Sequence, residues 1–446
     1  MRALILTTDY LTPQFDRRIL DLDDQLRSLS IQTSIVTIGD HESIQWHRER
    51  PVFQISKFPR EVFSELRKEA ILNGVLEDLS ISASEVQEKK RNLLRKTWHT
   101  MPLQLKRYLK PLLIRYLNAV DWLRNVKTNS TNLYGADISA DYWDLSLALI
   151  NANNTEKYDL YIGTDIPSGM ASLLLATNQN GTSWYEAHEF ATEQSWLQNH
   201  SGYSQELVRM ERILVQKSTI FTTVSQELTL EMATTFSRVT PSHTLTNATN
   251  LDVKHYVDPE IIQNFKQTKK DSRVLLFHGV LSDSRGLADF VEIFEETKHP
   301  EWKLILIGYG LGPKLEKKLH TASNTVSLPP VSSAEILHIV KMSDAVVMPY
   351  PVHDINSKYG FANKLGDCIA LQIPFLYNIE LLSIDKVAKE TSSGISFEWK
   401  ELVDKPEELF SKLDQITLLQ PDWQAAENLY GYTNFSNQVK QIVNLL

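Results

Sequence analysis

Residues 349–374, PYPVHDINSKYGFANKLGDCIALQIP, gather Asn356, Lys358, Tyr359, Asn363, Lys364 and Asp367 into one turn region. Lys364 is a charge that can neutralise a phosphate. Asp367 lies three residues further on, so the two side chains share a face if the segment is helical. A carboxylate accepts two hydroxyl hydrogen bonds, which suits the 2′,3′-diol of a ribose. The alternative is a helix salt bridge between the pair, worth about 0.2–0.5 kcal/mol. Cys368 points to a different face, and its expected role is that of a small apolar core residue.

Two other stretches have the same character. Phe277-His278-Gly279 is followed by Ser282-Asp283-Ser284-Arg285-Gly286. Gly279 permits close approach to the backbone, and Arg285 near a helix start suits an anion such as a diphosphate. Ile307-Gly308-Tyr309-Gly310 is a second apolar run ending in glycines, of which Gly310 would border the same ligand. Either glycine is also explained by a tight turn alone. In the first half, His188 and Glu189 follow Ser183-Trp184-Tyr185 after two intervening residues, the usual place for a reacting group in a parallel sheet, although a lone histidine there is also explained by hydrogen bonding alone. Asp16-Arg17-Arg18 stands at the start of the first helical stripe, where capping and salt bridging are equally good readings.

The elements that would carry these residues alternate. Residues 3–6 and 34–38 read as strands flanking an apolar stripe at helical spacing, Ile19, Leu20, Leu22, Leu26 and Leu29. Strands are expected at 158–163, 183–185 and 220–224, and helices at 167–175 and 204–217, with Ser225 as an N-cap. A second series has strands at 274–277, 304–307, 326, 345–348 and 375–376, with helices at 287–296, 334–342 and 363–371. This grammar predicts α/β architecture with parallel sheets. Residues 250–270, polar and proline-bearing, read as the linker between the halves.

The chain has 446 residues, which favours two domains over one. A net charge of -9 argues against a general nucleic-acid binder. A single cysteine allows no intrachain disulfide and fits a reducing, cytoplasmic setting. Residues 89–115 hold nine Lys or Arg and no Asp or Glu, interleaved with Leu, Tyr and Trp. A solvated helical hairpin and a surface that rests on anionic lipid at the inner membrane face both fit that pattern.

Taken in order, these pieces resemble the GT-B-fold glycosyltransferases, in particular glycosyltransferase family 4. Asp16-Arg17-Arg18 resembles the family's D-x-R-V, and Tyr185-Glu186-Ala187-His188-Glu189 its Y-D-x-H-E. Thr223-Val224-Ser225 resembles t-V-S, and His278-Gly279 with Arg285-Gly286-Leu287 resembles h-G-x5-R-G-L. Ile307-Gly308-Tyr309-Gly310 resembles l-i-G-x-G. Asn363-Lys364-Leu365-Gly366-Asp367, with Pro374 beyond, resembles the donor motif P-N-K-l-f-E-Y…G-i-P, and Trp423 the tryptophan before the last helix.

The resemblance implies two Rossmann-like domains facing across a cleft. Residues 1–250 would form the acceptor side, with a helical insertion at about 60–135. Residues 251–422 would bind the nucleotide sugar, and 423–446 would be helices that pack back on the first domain. Gly279, Arg285, Gly310, Asn363, Lys364 and Asp367 would bind the donor; His188, Arg285 and Lys364 would be catalytic; Asp16 and Glu189 would lie on the acceptor side. Neither metal nor cofactor is expected, and the acceptor would be a glycan or lipid-linked. The chain departs from the pattern at Val280, where the family often has Arg, at Tyr359 and Asp367 in place of the E-x7-E pair, at Gln372 in place of Gly, and at Glu186 in place of Asp. These departures keep a second reading open, a non-catalytic GT-B-like subunit that binds a partner glycosyltransferase or glycan. A sugar-nucleotide epimerase ranks third, since His188 and Glu189 are nearly the only acid/base candidates.

Overall fold

The computed structural model describes residues 1–8, 17–39, 43–47, 50–56, 156–198, 205–252, 257–296, 299 and 301–446, with isolated positions from 142 to 153. Asp16, the insertion at about 60–135 and the basic stretch 89–115 lie outside the described residues.

Two sheets organise the chain. The first contains β1 (Arg2–Leu6), β2 (Gln32–Gly39), β3 (Ser43–His47), β4 (Arg50–Ser56), β5 (Leu160–Gly163), β6 (Thr182–Ala187), β7 (Ile220–Thr223) and β8 (His243–Thr244). Their order is β3-β4-β2-β1-β5-β6-β7-β8, and all pair in parallel except β3 with β4. The second contains β9 (Arg273–Val280), β10 (Trp302–Tyr309), β11 (Thr325–Leu328), β12 (Ala345–Met348), β13 (Phe375–Asn378) and β14 (Gly394–Phe397). Its order is β11-β10-β9-β12-β13-β14, parallel throughout. Ala3 to Leu6 and Val274 to Phe277 are fully buried on both faces, as parallel strands sandwiched between helices must be. That burial explains why they read as continuous apolar runs instead of alternating ones.

Each sheet reverses its winding once. In the first the reversal falls between β1 and β5, and in the second between β9 and β12. Loops leave the carboxyl ends of such neighbours in opposite directions and open a crevice there. The candidate residues near Gly279 and Tyr350 follow β9 and β12, so they stand at the second crevice. At the first, Thr8 donates through its amide (2.9 Å) and hydroxyl (2.8 Å) to Asp165, which also caps the helix Ile166–Gln179.

The helices Leu287–Glu296 and Asn363–Leu371 have the bounds that their apolar spacing predicts. Two local readings need correction. Residues 349–362 are not all loop: Ile355–Tyr359 forms a short helix, started by a capping box between Asp354 and Ser357. Residues 250–270 include the helix Pro259–Lys269, with Asp258 as N-cap, Pro at its start and Phe265 fully buried. The chain then crosses back. In the helix Tyr432–Val443, Phe435, Val439 and Ile442 pack against Ile19, Leu20, Leu22 and Leu26 of the helix Arg17–Ser28. Each such burial stabilises by about 1.5–3 kcal/mol. Among the described residues, no helix is long and apolar enough to cross a membrane.

Candidate active site

At the carboxyl edge of the second sheet, three backbone features clear a space. Gly279 has φ +117° and Gly310 φ +71°, conformations that side-chain-bearing residues avoid. Gly308 sits opposite Gly279 in the β9–β10 register, and a Cβ on it would lie 1.6 Å from the Gly279 carbonyl oxygen. The two loops that follow are stitched together: Leu281 donates to Tyr309 O at 2.7 Å, and Gly312 donates to Leu281 O at 3.0 Å. Asp283 accepts from the amide of Leu315 at 3.1 Å, which fixes the start of the helix Pro313–Leu319.

Two cations converge on this space. Lys364 Nζ lies 4.7 Å from the ring centroid of Phe277 and 5.3 Å from that of Tyr350. The Arg285 guanidinium carbon lies 5.1 Å from the same Tyr350 ring. A Cβ on Gly279 would come within 2.9 Å of Lys364 Nζ, so the ammonium rests directly on the bare backbone there. Among the described residues, neither cation has a carboxylate within ion-pair distance. Aromatic faces hold their charge in place without neutralising it. Asn363 is exposed at the start of the helix that carries Lys364.

The carboxyl edge of the first sheet contributes His188 and Glu189, immediately after β6. Behind them Glu186 is fully buried between two partners. Arg18 Nε donates to its Oε1, and His188 Nε2 lies 3.5 Å from its Oε2. Arg18 also donates to Asn247 Oδ1 and to the Leu245 carbonyl, so each guanidinium nitrogen has a partner within the first half. Burial pushes the Glu186 carboxyl up, but Arg18 and His188 overcome it and hold it at about 2. A charged carboxylate therefore lies beside the imidazole. Glu189 remains accessible to solvent, yet the surrounding protein pushes its carboxyl up, against the charges of His188 and Arg285.

Asp367 is 1 % exposed and faces the seam between the halves. Its Oδ1 accepts from Arg17 Nη2 at 2.8 Å and from Thr249 Oγ1 at 2.7 Å. Its ion pair is thus with Arg17, not with Lys364. Burial pushes its carboxyl up, while the Arg17 charge and the hydrogen bonds from Thr249 and Arg17 hold it below the ordinary carboxylate range. His278 Nε2 stands 3.7 Å from Asp367 Oδ2. Burial and the Lys364 charge press that imidazole down to about 3, so it is neutral.

The short helix Ile355–Tyr359 clasps the first half. Asn356 accepts from the Phe190 amide (2.6 Å) and donates to the Phe190 carbonyl (2.9 Å). Asp354 accepts from the amide and hydroxyl of Ser195, at 3.1 and 3.2 Å. Ser225 caps the helix Gln226–Thr235 and also donates to the Tyr359 carbonyl.

The structure brings Gly279, Gly310, Arg285 and Lys364 to one edge, and His188 and Glu189 to the other. It turns Asn356 and Asp367 to the seam. Sequence reasoning gave no role to Tyr350; it offered salt bridging for Arg17 and Arg18, which the structure shows, but named neither Asp367 nor Glu186 as the partner. Tyr350 had one available signal, its place just beyond β12 at the winding reversal. The Arg17–Asp367 contact spans 350 residues and left no local trace.

No protein-family model matches the chain, and no curated protein matches it in sequence. Solved structures do match over its full length. Sucrose-phosphate synthase from Thermosynechococcus elongatus superposes with a TM-score of 0.64 at 10% identity, covering 100% of this chain and 99% of that one. HepE from Anabaena in complex with UDP gives 0.61 at 11% identity, with 100% of both chains covered. α,α-Trehalose 6-phosphate synthase from Burkholderia multivorans gives 0.56 at 9% identity, over 100% of this chain and 97% of that one. Together with the two parallel sheets facing each other by their carboxyl edges, these likenesses show that the chain has the GT-B fold.

Proposed function

We propose that the chain is a nucleotide-sugar-dependent glycosyltransferase. The observation that carries this reading is the pair Arg285 and Lys364, held against Tyr350 beside Gly279 with no carboxylate among the described residues neutralising them. Two fixed cations at a glycine-lined strand edge suit a diphosphate. HepE, with the same fold over its whole length, has been solved with UDP and with UDP-glucose, which supports a nucleotide sugar as the ligand class.

In this reading Arg285 and Lys364 take the diphosphate, and Gly279, Gly310 and Asn363 let its oxygens approach the backbone. Asp367 holds donor hydroxyls through Oδ2. His188, oriented by Glu186, faces the donor sugar, and Glu189 and Asp16 serve the acceptor. An acceptor hydroxyl bonds to the anomeric carbon as the bond to the diphosphate breaks. The electron pair leaves on phosphate oxygen, where the two cations stabilise it, and the hydroxyl proton passes to that phosphate. The protein's own cations do the neutralising in this scheme. Retention of anomeric configuration, a glycan or lipid-linked acceptor in surface polysaccharide or glycolipid synthesis, and a cytoplasmic position at an anionic membrane through residues 89–115 complete the proposal.

A nucleotide-sugar panel read by thermal shift tests it. Stabilisation by one donor class, lost in Arg285→Ala and Lys364→Ala, is the expected result. The second reading, a non-catalytic GT-B-like subunit, is favoured by one observation: the carboxylate suited to ribose already carries Arg17 and Thr249. No shift with any nucleotide sugar would select it.

A further inference from the structure

At the edge of the second sheet remote from the candidate active site, two adjoining cavities share one pair of walls, Gln372 and Trp423. The first, about 390 Å³, opens between Arg273, Asp344 and Pro374, which stand at or just before the starts of β9, β12 and β13. The second, about 350 Å³, lies between residues 250–252 and the helix Trp423–Tyr430. Gly279 is six residues along β9 from Arg273, a separation of roughly 20 Å.

Gln372 ends the helix Asn363–Leu371 with φ +59°, in the left-handed region that a Cβ disfavours. The family pattern has glycine at this position, and glycine adopts the conformation freely. This chain keeps a side chain there instead. It is exposed, and its amide has no hydrogen-bond partner among the described residues. The turn gains nothing from it. Trp423 is half-buried against the core, and its indole Nε1 likewise has no partner among the described residues.

An indole beside a free primary amide suits a pyranose ring. The C–H face of the ring lies flat on the indole, and vicinal hydroxyls pair with an amide that both donates and accepts. The charges agree with a neutral ligand. The second cavity is walled by Asp252 and Glu427 and by no lysine or arginine, which disfavours phosphates, nucleotides and acidic sugars. Glu427 already accepts from the Thr433 amide at 3.0 Å. In the first cavity Asp344 accepts from the Val274 amide at 2.8 Å and from Lys269 at 2.9 Å. An organic cation would therefore find only the exposed Asp252 free. Because the groove continues on both sides of one indole, it can take successive units of a chain.

We propose that Gln372 and Trp423 form the centre of a second carbohydrate site, which holds a neutral oligosaccharide at the amino edge of the second sheet, away from the candidate active site. The site goes beyond the glycosyltransferase reading and does not depend on it, because no residue of the groove serves the donor. It stands whether the chain transfers sugars or only binds them.

Calorimetric titration of the full chain with maltohexaose, cellohexaose and, as an acidic control, a hyaluronan hexasaccharide tests the site. Wild type should bind at least one of the neutral chains and bind the acidic chain more weakly. Gln372→Gly should weaken that binding at least about fivefold. Its urea midpoint should hold or rise, because glycine relaxes the left-handed turn. A purely structural role for Gln372 would not separate these two measurements. Trp423→Ala should abolish binding; if circular dichroism shows it unfolded, Gln372→Gly carries the comparison. Lys364→Ala should bind the neutral chain as wild type does. The proposal is overturned if neither neutral chain binds, if Gln372→Gly binds like wild type, or if Lys364→Ala loses binding, which would move the oligosaccharide to the cleft. Tighter binding of the acidic chain overturns it as well. None of these failures touches the nucleotide-sugar thermal shift or the reading that it tests.

Discussion

Lys364 and Arg285 share one aromatic ring: the ammonium lies 5.3 Å and the guanidinium carbon 5.1 Å from the centroid of Tyr350. Tyr350 is 8 % exposed and its ring also meets Phe277 edge-on at 6.1 Å, so the platform is anchored in the core. Removing either cation should lower kcat/KM for donor turnover by on the order of 10²–10³-fold, the range seen when one group that stabilises developing charge is lost. The urea midpoint should stay put, because neither cation is paired to a carboxylate among the described residues. Steady-state kinetics beside urea unfolding checks both halves of the statement.

Glu186 should behave as a structural anchor. Glu186→Ala leaves Arg18 buried without its counter-charge, an error that typically costs about 3–5 kcal/mol. Held at about 2 in the folded chain against an ordinary 4.5, the carboxyl contributes stability that is complete above the ordinary value and is lost as pH falls towards 2. Unfolding midpoints across acid pH should show wild type losing stability faster than Glu186→Gln.

Glu211 runs the other way. It is fully buried and accepts from the Ala191 amide (2.8 Å), the Thr192 amide (3.0 Å) and the Thr192 hydroxyl (2.5 Å), yet burial raises it to about 7. Between 4.5 and 7 the folded chain holds a proton that the unfolded chain has released, so stability falls as pH rises through this window and levels off above it. Glu211→Gln should flatten that slope in urea titrations. A slope unchanged by the substitution would assign it to other groups.

Asn356 is the clearest handle on closure. Its amide closes a two-way bond with the backbone of Phe190, and Asn356→Ala leaves both Phe190 groups unsatisfied. A penalty of about 1–3 kcal/mol for each buried unpaired group should shift the halves apart. Small-angle scattering should report a larger radius of gyration for the variant than for wild type.

The sequence was most legible where burial is continuous. Val274 to Phe277 and Ala345 to Met348 stand out because both faces are covered, and helix Leu287–Glu296 because one stripe is. β14 was missed: only Phe397 of its four residues is buried, so no apolar run marks it. The helix Ile355–Tyr359 has no buried residue and too few turns for a periodic signal. The glycines and cations of the site could be read because their local chemistry is distinctive. The seam could not, since a pair such as Arg17 and Asp367 is made by folding two distant segments together, and either residue alone reads as surface charge.

One contact constrains when this protein can fold. The face of the helix Arg17–Ser28 formed by Ile19, Leu20 and Leu22 is covered by Phe435, Val439 and Ile442. The ribosome makes these three only after the whole second sheet. The amino-terminal body must therefore wait with an uncovered apolar face while β9 to β14 are synthesised. Its completion is timed by the far end of the message, which makes the nascent chain, not the finished protein, the form most exposed to aggregation.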